Sequence, residues 1–268
     1  MEMDFNLIIS AVVLTGVVAL LIGLLLGIAG KFFAVEVDEK EVAVRNELPG
    51  NNCGGCGFPG CDGLAHAIAC GQAPVNGCPV GGEPVAEKIA AIMGVDAGAS
   101  EKKVAFVRCG GTCDKAGVKS NYYGVNDCAM AMTVPGQGSK TCNYGCMGFG
   151  TCVKACPFDA IHVVNGVAVV DREACKACGK CVAACPKNLI ELIPYKASYF
   201  VGCQSKDKGK DVRFACEAGC IGCGLCMKNC EAGAIKVEGN LATIDPSLCT
   251  GCGTCFEKCP TKAIKKIG

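Results

Sequence analysis

Two cysteine runs in the C-terminal part of the chain constrain its fold more than any other feature. Both have the spacing C-x2-C-x2-C-x3-C-P, and they consist of Cys175, Cys178, Cys181 and Cys185, and of Cys249, Cys252, Cys255 and Cys259. This spacing wraps thiolates around [4Fe-4S] cubanes, and the fourth cysteine of a run binds the other cluster of a pair. We therefore expect a repeated fold built around pairs of iron-sulfur clusters.

The cysteine content of the whole chain supports metal sites over disulfides. Cysteine accounts for 26 of the 268 residues and histidine for only 2. A secreted disulfide scaffold would be short and would follow a cleaved signal peptide, whereas these cysteines fall in tight runs that end in Cys-Pro. Zinc sites use Cys-x2-Cys pairs separated by a long spacer, whereas three or four thiols fall in each short segment here. Iron-sulfur clusters fit the spacing better.

Charge and composition exclude other classes of function. The net charge of +1 favours neither nucleic acid nor a polybasic membrane contact. Tryptophan is absent and aromatic residues are few, so cluster binding is expected to supply part of the folding free energy. No nucleophile with a positioned base, no Gly-rich nucleotide loop and no flavin motif is recognisable. The chain is therefore expected to move electrons without bond chemistry of its own.

An internal repeat surrounds the two runs. A partner run precedes each of them: Cys142, Cys146, Cys152 and Cys156 before the first, and Cys220, Cys223, Cys226 and Cys230 before the second. Between the runs, hairpins are predicted over residues 161–164 and 167–170 around Asn165-Gly166, and over 235–237 and 241–244 around Gly239-Asn240. Cluster loops joined by strand, turn and strand form the layout of a two-cluster bacterial ferredoxin.

Because the fourth cysteine of each run binds the other cluster of the pair, two sites are predicted in each of these modules. The sites predicted in the first module are Cys142, Cys146, Cys152 and Cys185, and Cys156, Cys175, Cys178 and Cys181. The sites predicted in the second module are Cys220, Cys223, Cys226 and Cys259, and Cys230, Cys249, Cys252 and Cys255.

Two departures qualify this assignment. Cys230 is followed by Glu231 rather than proline, which removes a rigid turn but no ligand. In the first module Phe149 stands where Cys223 stands in the second, so Cys142 has to substitute from upstream. The equivalent of Cys142 in the second module, Cys216, is then spare, and the Cys142 site is left open to a three-iron or altered cluster.

The remaining cysteines are Cys70, Cys109, Cys113, Cys128, Cys203 and Cys216. Cys109 and Cys203 occupy matching places ahead of the two repeats, which suggests a shared structural role. A sixth site made of Cys109, Cys113 and Cys128, with a fourth ligand borrowed from Cys142, stays an open alternative because its spacing matches no standard run.

The N-terminal part predicts a membrane anchor. Residues 7–30 carry no charged side chain and are long enough to cross a bilayer, which requires about 20 residues. Lys31, Lys40 and Arg45 follow this segment and no basic residue precedes it, so the soluble part is expected in the cytoplasm. Gly23 and Gly27 form a GxxxG pair that would allow another helix to approach closely. Residues 35–45 have no clear core face and are predicted to be a linker.

A further cysteine motif follows the linker. Residues 48–61 read LPGNNCGGCGFPGC, in which Cys53, Cys56 and Cys61 would bind a cluster with Cys78 as fourth ligand. Asp62 is predicted to cap a short helix that ends at Cys70, with Gly71 as its stop. Cys70 is interpreted as a small buried apolar residue and His66 as structural.

This motif, placed after a membrane helix and ahead of ferredoxin runs, resembles the B subunit of the Rnf complex, an ion-translocating ferredoxin:NAD oxidoreductase. The resemblance implies a membrane-bound, single-pass protein that relays electrons from soluble ferredoxin through [4Fe-4S] clusters to the membrane part of the complex. It also implies that NAD is reduced on a different polypeptide of the complex. A membrane-tethered polyferredoxin that donates to a different reductase is the alternative, and a purely structural metal scaffold is disfavoured.

The expected fold class is α+β, with five [4Fe-4S] clusters and a sixth left open. The predicted domains are a transmembrane anchor over 1–30, a small 4Fe-4S domain over 31–95, a ferredoxin-like module with an upstream cysteine-rich segment over 96–200, and a C-terminal ferredoxin-like module over 201–268. The expected partners are the other subunits of the complex, soluble ferredoxin and the lipid bilayer, with no nucleic acid.

Overall fold

The structure, a computed structural model, describes residues 5–32, 38–98 and 101–267. Its first element is the long helix α1 (Phe5–Phe32). Within α1, the 20-residue segment Val12–Lys31 has a mean hydropathy of 2.8, and its large apolar side chains, such as Leu20 and Leu26, are exposed. In length and composition α1 meets the requirement for a helix that crosses a membrane.

Three helices form the N-terminal domain: α2 (Glu39–Glu47), α3 (Cys61–Ala69) and α4 (Gly82–Met93). Val44, Leu64, Ile68 and Ile89 are its largest fully buried side chains and belong to one core. The linker prediction is therefore wrong from residue 39 onward, while 35–37 lie outside the described residues. Asp38 caps α2, and Val44 is its only buried residue, which explains why the sequence lacks a clear helical period.

The start and end of α3 differ from the prediction. Gly60, at φ +94°, is the N-cap, and Asp62 lies in the first turn, where it forms an ion pair with Arg45. Cys70 is the C-cap residue and its side chain is exposed, so the interpretation of Cys70 as a buried apolar residue is wrong. His66, for which the sequence offers no partner, lies 2.9 Å from Glu41 through Nδ1 and 3.7 Å from the Cys70 sulfur through Nε2.

The first module has two short antiparallel sheets. Its elements are β1 (Lys103–Val107), α5 (Cys128–Met132), α6 (Thr151–Ala155), β2 (Ile161–Val164), β3 (Val167–Val170), α7 (Lys180–Ala184) and β4 (Ile190–Pro194). Strand β1 pairs with β4 from Lys103↔Pro194 to Val107↔Ile190, and β2 pairs with β3. One core joins both sheets and includes cysteines from the cluster loops.

The second module repeats this topology. Its elements are β5 (Tyr199–Val201), α8 (Gly209–Ala215), α9 (Leu225–Lys228), β6 (Ile235–Glu238), β7 (Leu241–Ile244), α10 (Thr254–Glu257) and β8 (Ile264–Lys266). Strand β5 pairs with β8, and β6 pairs with β7. Both hairpins occur where the sequence predicts them. Asn165 and Gly166, and Gly239 and Asn240, all have positive φ, which such tight turns require.

The two modules contact each other through main chain and aromatic rings. Gly117 N–H donates to Ala215 O at 3.0 Å, and Glu217 N–H donates to Lys115 O at 2.9 Å. The rings of Phe106 and Phe200 meet edge to face, with centroids 5.1 Å apart. These contacts hold the start of the second module against the loop that follows β1.

Candidate iron-sulfur sites

All 26 cysteines lie in the part of the chain that the structure describes, and none of them forms a disulfide. Within those residues no three Cys, His, Asp or Glu side chains are grouped closely enough to hold a single metal ion. In a four-iron cluster each thiolate binds a different iron, which requires wider spacing. Thiolates without oxygen ligands are also the donor set that iron-sulfur clusters select.

The N-terminal domain brings together the four cysteines predicted there. Cys61 and Cys78 are buried in its core, and Cys56 packs against the same core. Cys61 N–H donates to Asn52 Oδ1 at 2.8 Å, which fixes the loop where α3 begins. Burial raises the pKa of Cys78, and nearby Cys61 and Cys53 raise it further. The glycines and prolines of the motif therefore shape a loop around one set of four thiols.

One site of the first module also gathers the predicted residues. Burial raises the pKa of Cys181 to about 11, and Cys175, Cys178 and Cys156 add to the shift as charged neighbours. Ala105 N–H, on strand β1, points at the Cys175 sulfur at 3.5 Å. Hydrogen bonds from backbone N–H groups to sulfur are one of the means by which proteins tune cluster potentials.

Both sites of the second module follow the crossed pattern. A small cavity of about 20 Å³ is lined by Cys220, Cys223, Cys226 and Cys259. The other site brings Cys255 close to Cys249, Cys252 and Cys230, and these neighbours, after burial, raise the Cys255 pKa. Hydrogen bonds from Thr254 lower the pKa of Cys252, whose side chain is exposed.

The remaining site of the first module differs from the prediction. A small cavity of about 20 Å³ is lined by Cys128, Cys146, Cys152 and Cys185, and Cys142 is not among its lining residues. Burial raises the pKa of Cys152 to about 12, with further contributions from Cys146, Cys128 and Cys185. Cys128, which the sequence left spare, occupies the place that the prediction gave to Cys142.

Local hydrogen bonds hold Cys128 at this site. Asp127 caps α5 by accepting from the N–H groups of Ala129 and Met130. The Thr151 hydroxyl donates to Asp127 at 3.0 Å and accepts from Cys128 N–H at 2.7 Å. Since Thr151 begins the helix that carries Cys152, these bonds join the two cysteine-bearing segments. In the sequence, Asp127 directly before Cys128 indicates the start of a helix at this cysteine.

The sixth site considered from the sequence is not assembled as predicted. Cys128 lines the cavity of Cys146 and Cys152, and Cys109 lines a different cavity together with Cys142. Cys113 is exposed beside the hairpin turn at Gly166. The alternative of a sixth cluster bound by Cys109, Cys113 and Cys128 is therefore wrong, because the three side chains lie in different surroundings.

Family models match the same cysteine-rich segments. The FeS (Fe-S cluster) model matches residues 48–80, and the LdpA Fe-S cluster-binding domain matches residues 151–196. Two 4Fe-4S binding domain models match residues 217–233 and 242–265. Together with the thiol groups and helix α1, these matches define a multi-cluster 4Fe-4S protein of ferredoxin type with an apolar N-terminal helix.

Curated relatives specify the family. The chain is 49% identical over 241 residues to the B subunit of the Na(+)-translocating ferredoxin:NAD(+) oxidoreductase complex of Acetobacterium woodii, covering 90% of this chain and 72% of the relative. It is 46% identical over 244 residues to the B subunit of the ion-translocating oxidoreductase complex of Methanosarcina acetivorans, covering 91% and 92%. The corresponding protein of the proton-translocating complex of Clostridium ljungdahlii is 47% identical over 245 residues, covering 91% and 86%. The chain belongs to the B subunit family of Rnf-type ion-translocating oxidoreductase complexes.

Proposed function

We propose that this chain relays electrons from reduced ferredoxin, through [4Fe-4S] clusters, to the membrane part of an Rnf-type ion-translocating ferredoxin:NAD oxidoreductase. Family membership supports the complex, and the repeated groups of four thiols support the chemistry. The relatives include one named for sodium and one named for protons, so the transported ion stays open. Each cluster, when bound, supplies a one-electron redox centre.

Five sites are part of this proposal. They are Cys53, Cys56, Cys61 and Cys78; Cys156, Cys175, Cys178 and Cys181; Cys128, Cys146, Cys152 and Cys185; Cys220, Cys223, Cys226 and Cys259; and Cys230, Cys249, Cys252 and Cys255. The protein's own contribution is to hold thiolates in loops, to donate backbone N–H groups to sulfur and to exclude water with the short strands.

The observation that carries the relay is the close contact between the N-terminal domain and the first module. A Cβ added at Gly55 would lie 2.7 Å from the carbonyl oxygen of Cys178, so the two cluster loops touch through main chain. Cys53 is also close enough to Cys178 to raise its pKa, after the larger effect of burial. Electrons that reach the first module therefore have a short path to the domain that follows the membrane helix.

A basic surface on the second module is the proposed docking site for ferredoxin. Lys206, Lys208, Lys210 and Arg213 are all exposed, and none of them forms an ion pair among the described residues. Phe214 stands among them with 84% of its surface exposed. Ferredoxins are usually acidic, and opposite charge accelerates encounter. Asp207 and Asp211 reduce the field of this surface without removing its positive excess.

The docking surface is connected to a cluster loop. A Cβ at Gly209 would lie 2.6 Å from Ile221 O, so α8 packs directly on the loop between Cys220 and Cys223. Asn240, in the turn of the second hairpin, donates to Lys206 O at 3.1 Å. Ferredoxin bound on this surface would therefore stand next to the Cys220 site.

Stopped-flow reduction by ferredoxin tests this proposal. The quadruple variant K206Q/K208Q/K210Q/R213Q should be reduced more slowly, with a flatter salt dependence, while reduction by a small uncharged dye is unchanged. The matched control is K103Q/K154Q/K176Q/K180Q, which removes the same charge from exposed lysines on the first module. Equal ferredoxin kinetics in the two variants would rule out docking on the second module.

Orientation in the membrane is part of the same proposal. Lys31 lies in the last turn of α1, which favours a cytoplasmic C-terminal side. A reporter that is active only in the cytoplasm should work when fused to the C-terminus. Activity of a periplasmic reporter there would contradict both the orientation and a cytoplasmic ferredoxin donor.

A further inference from the structure

Four cysteines that belong to none of the five sites line one cavity between the two modules. Cys109 and Cys142 come from the first module, and Cys203 and Cys216 come from the second. The volume enclosed by this cavity is about 20 Å³, the same as at the Cys152 and Cys226 sites. The interface therefore has a cavity of the same size and the same number of thiols as two sites predicted from ferredoxin runs.

The four cysteines are related by the internal repeat. Cys142 corresponds to Cys216, because each precedes the next cysteine of its run, Cys146 or Cys220, by the same interval. Cys109 corresponds to Cys203, because each follows the first strand of its module. Each module thus contributes the same two positions, as expected for a site built at a symmetric contact between two copies of one fold.

Backbone groups around the sulfurs also repeat. Cys146 N–H donates to the Cys109 sulfur at 3.3 Å, and Cys220 N–H bonds to the Cys203 sulfur in the other module. Ser205 N–H points at Cys203 at 3.5 Å. The same kind of bond occurs at Cys175 and Cys220, the ferredoxin-type positions. Such donors stabilise thiolates bound to a cluster.

Glycines in the walls of the cavity lie close to the sulfurs. A Cβ at Gly111 would lie 3.1 Å from the Cys216 sulfur and 3.8 Å from the Cys109 sulfur. A Cβ at Gly145 would lie 3.5 Å from the Cys142 sulfur. Small residues therefore allow the backbone to approach the thiols closely, as glycines do in the N-terminal motif.

A buried lysine supplies positive charge beside the cavity. Lys140 is 8% exposed and lines the cavity, and its ammonium group donates to the carbonyl oxygens of Gly111 and Gly166 at 2.7 Å each. A buried cation without a carboxylate is costly unless another negative charge is near. Four thiolates around a cluster would supply that charge.

Buried free cysteines often act only as small apolar side chains. Here four of them, from two modules, line one cavity together with Lys140, whereas cysteines that act only as apolar residues have no reason to gather in one place. The neighbouring Ala116, Val212 and Ala218 are apolar wall residues.

We propose that Cys109, Cys142, Cys203 and Cys216 bind a sixth [4Fe-4S] cluster, which joins the two ferredoxin-like modules into one path. This inference rests on the proposed electron relay and adds the site that bridges its two halves. The site adjoins the first module's Cys146 on one side and the second module's Cys220 on the other.

Iron and sulfide analysis of the anaerobically reconstituted full chain tests the site. The wild type should contain about 24 iron atoms, whereas five sites would give about 20. The double variant C203A/C216A should lose about four irons and about four sulfides. The matched control C70A/C113A, which removes two exposed thiols that belong to none of the six groups of four, should lose none. Wild-type iron content in C203A/C216A would overturn the proposal, and so would a saturated wild type with about 20 irons.

EPR spectra provide a second test that does not depend on the total count. C142A and C216A change residues of different modules, and both should remove the same signal. Signals lost from different clusters would assign Cys142 to the Cys146 site and refute the interface site. A saturated wild-type chain that contains only five clusters and is still rapidly reduced by ferredoxin would reject the sixth site while leaving the electron relay intact.

Discussion

The two ferredoxin-like modules share one topology but bring together the four thiols of one candidate site differently. In the second module Cys220, Cys223 and Cys226 come from a single run. In the first module Phe149 replaces the middle cysteine, and Cys128 lines the cavity from a separate helix. The interval from Cys109 to Cys142 is longer than that from Cys203 to Cys216, and the extra residues include Cys128.

The substitution and the longer loop are physically linked. The Phe149 ring lies 5.0 Å from the ring of Tyr122, which belongs to the same loop as Cys128. Asp127 and Thr151 then join that loop to α6. The residue at the position of the missing cysteine thus helps to anchor the segment that carries Cys128. A group of four thiols can therefore form when one of them comes from a distant part of the sequence.

The modules also differ in what covers their outer sites. Cys178 of the first module is partly covered and lies against Gly55 of the N-terminal domain, whereas the equivalent Cys252 is exposed. The first module is therefore suited to pass electrons to another part of the chain. The open end of the second module leaves its outer site accessible to solvent.

The largest expected effect follows from the different ligand sources. C128A should lose the first module's Cys152 cluster, about four irons per chain, because one of its thiolates is removed. F149C should restore the standard run, so the double variant C128A/F149C should regain the iron. Iron analysis and EPR measure both effects. The control C142A should retain the Cys152 signal, and loss of that signal in C142A but not in C128A would contradict the assignment.

A smaller effect is expected at the crossed ligands of the second module. In C259S a serine replaces one thiolate of the Cys226 site, so a shifted or three-iron EPR signal is expected rather than complete loss. The affected signal should be the one altered by C226S and not the one altered by C255S. If C259S instead reproduces the C255S spectrum, the two modules do not share the crossed arrangement.

The covered site of the first module gives a third prediction. G55A would drive a methyl group into the main chain of Cys178 and should destabilise the contact by about 1–3 kcal/mol. Electron transfer from the first module to the N-terminal cluster should slow, while reduction of the second module is unchanged. Q72A, at an exposed position of the same domain, serves as control. Unchanged transfer in G55A would show that the contact is not part of the path.

Local sequence signals predicted the hairpins and most thiol groups. Asn165-Gly166 and Gly239-Asn240 determine tight turns on their own, and the runs around Cys181 and Cys255 bring their thiols together within short loops. Helix α2 was missed because Val44 is its only buried residue, so no helical period is visible. Its position depends on packing against α3, which the sequence does not encode locally.

The role of Cys128 could not be read from spacing, because a ligand supplied by a long loop can lie at any distance along the chain. The cysteines of the interface cavity were easier to relate to one another from the sequence. Cys109 matches Cys203 and Cys142 matches Cys216, so these four cysteines were already paired by the repeat. What the sequence lacks is the contact between modules that turns two matching pairs into one set of four.

The smallest expected effect concerns the proline that only one module has after its partner run. Pro157 follows Cys156, whose backbone is extended as proline requires of the preceding residue, whereas Glu231 follows Cys230. Glu231 is exposed, and its N–H donates no backbone hydrogen bond among the described residues, so proline would cost no such bond. E231P should stabilise the chain by about 0.4–1 kcal/mol by restricting the unfolded state. Thermal unfolding of the reconstituted protein measures this, with E231A as the control for loss of the carboxylate. A lower unfolding temperature for E231P than for E231A would mean that the second module's loop is incompatible with the geometry found at Pro157.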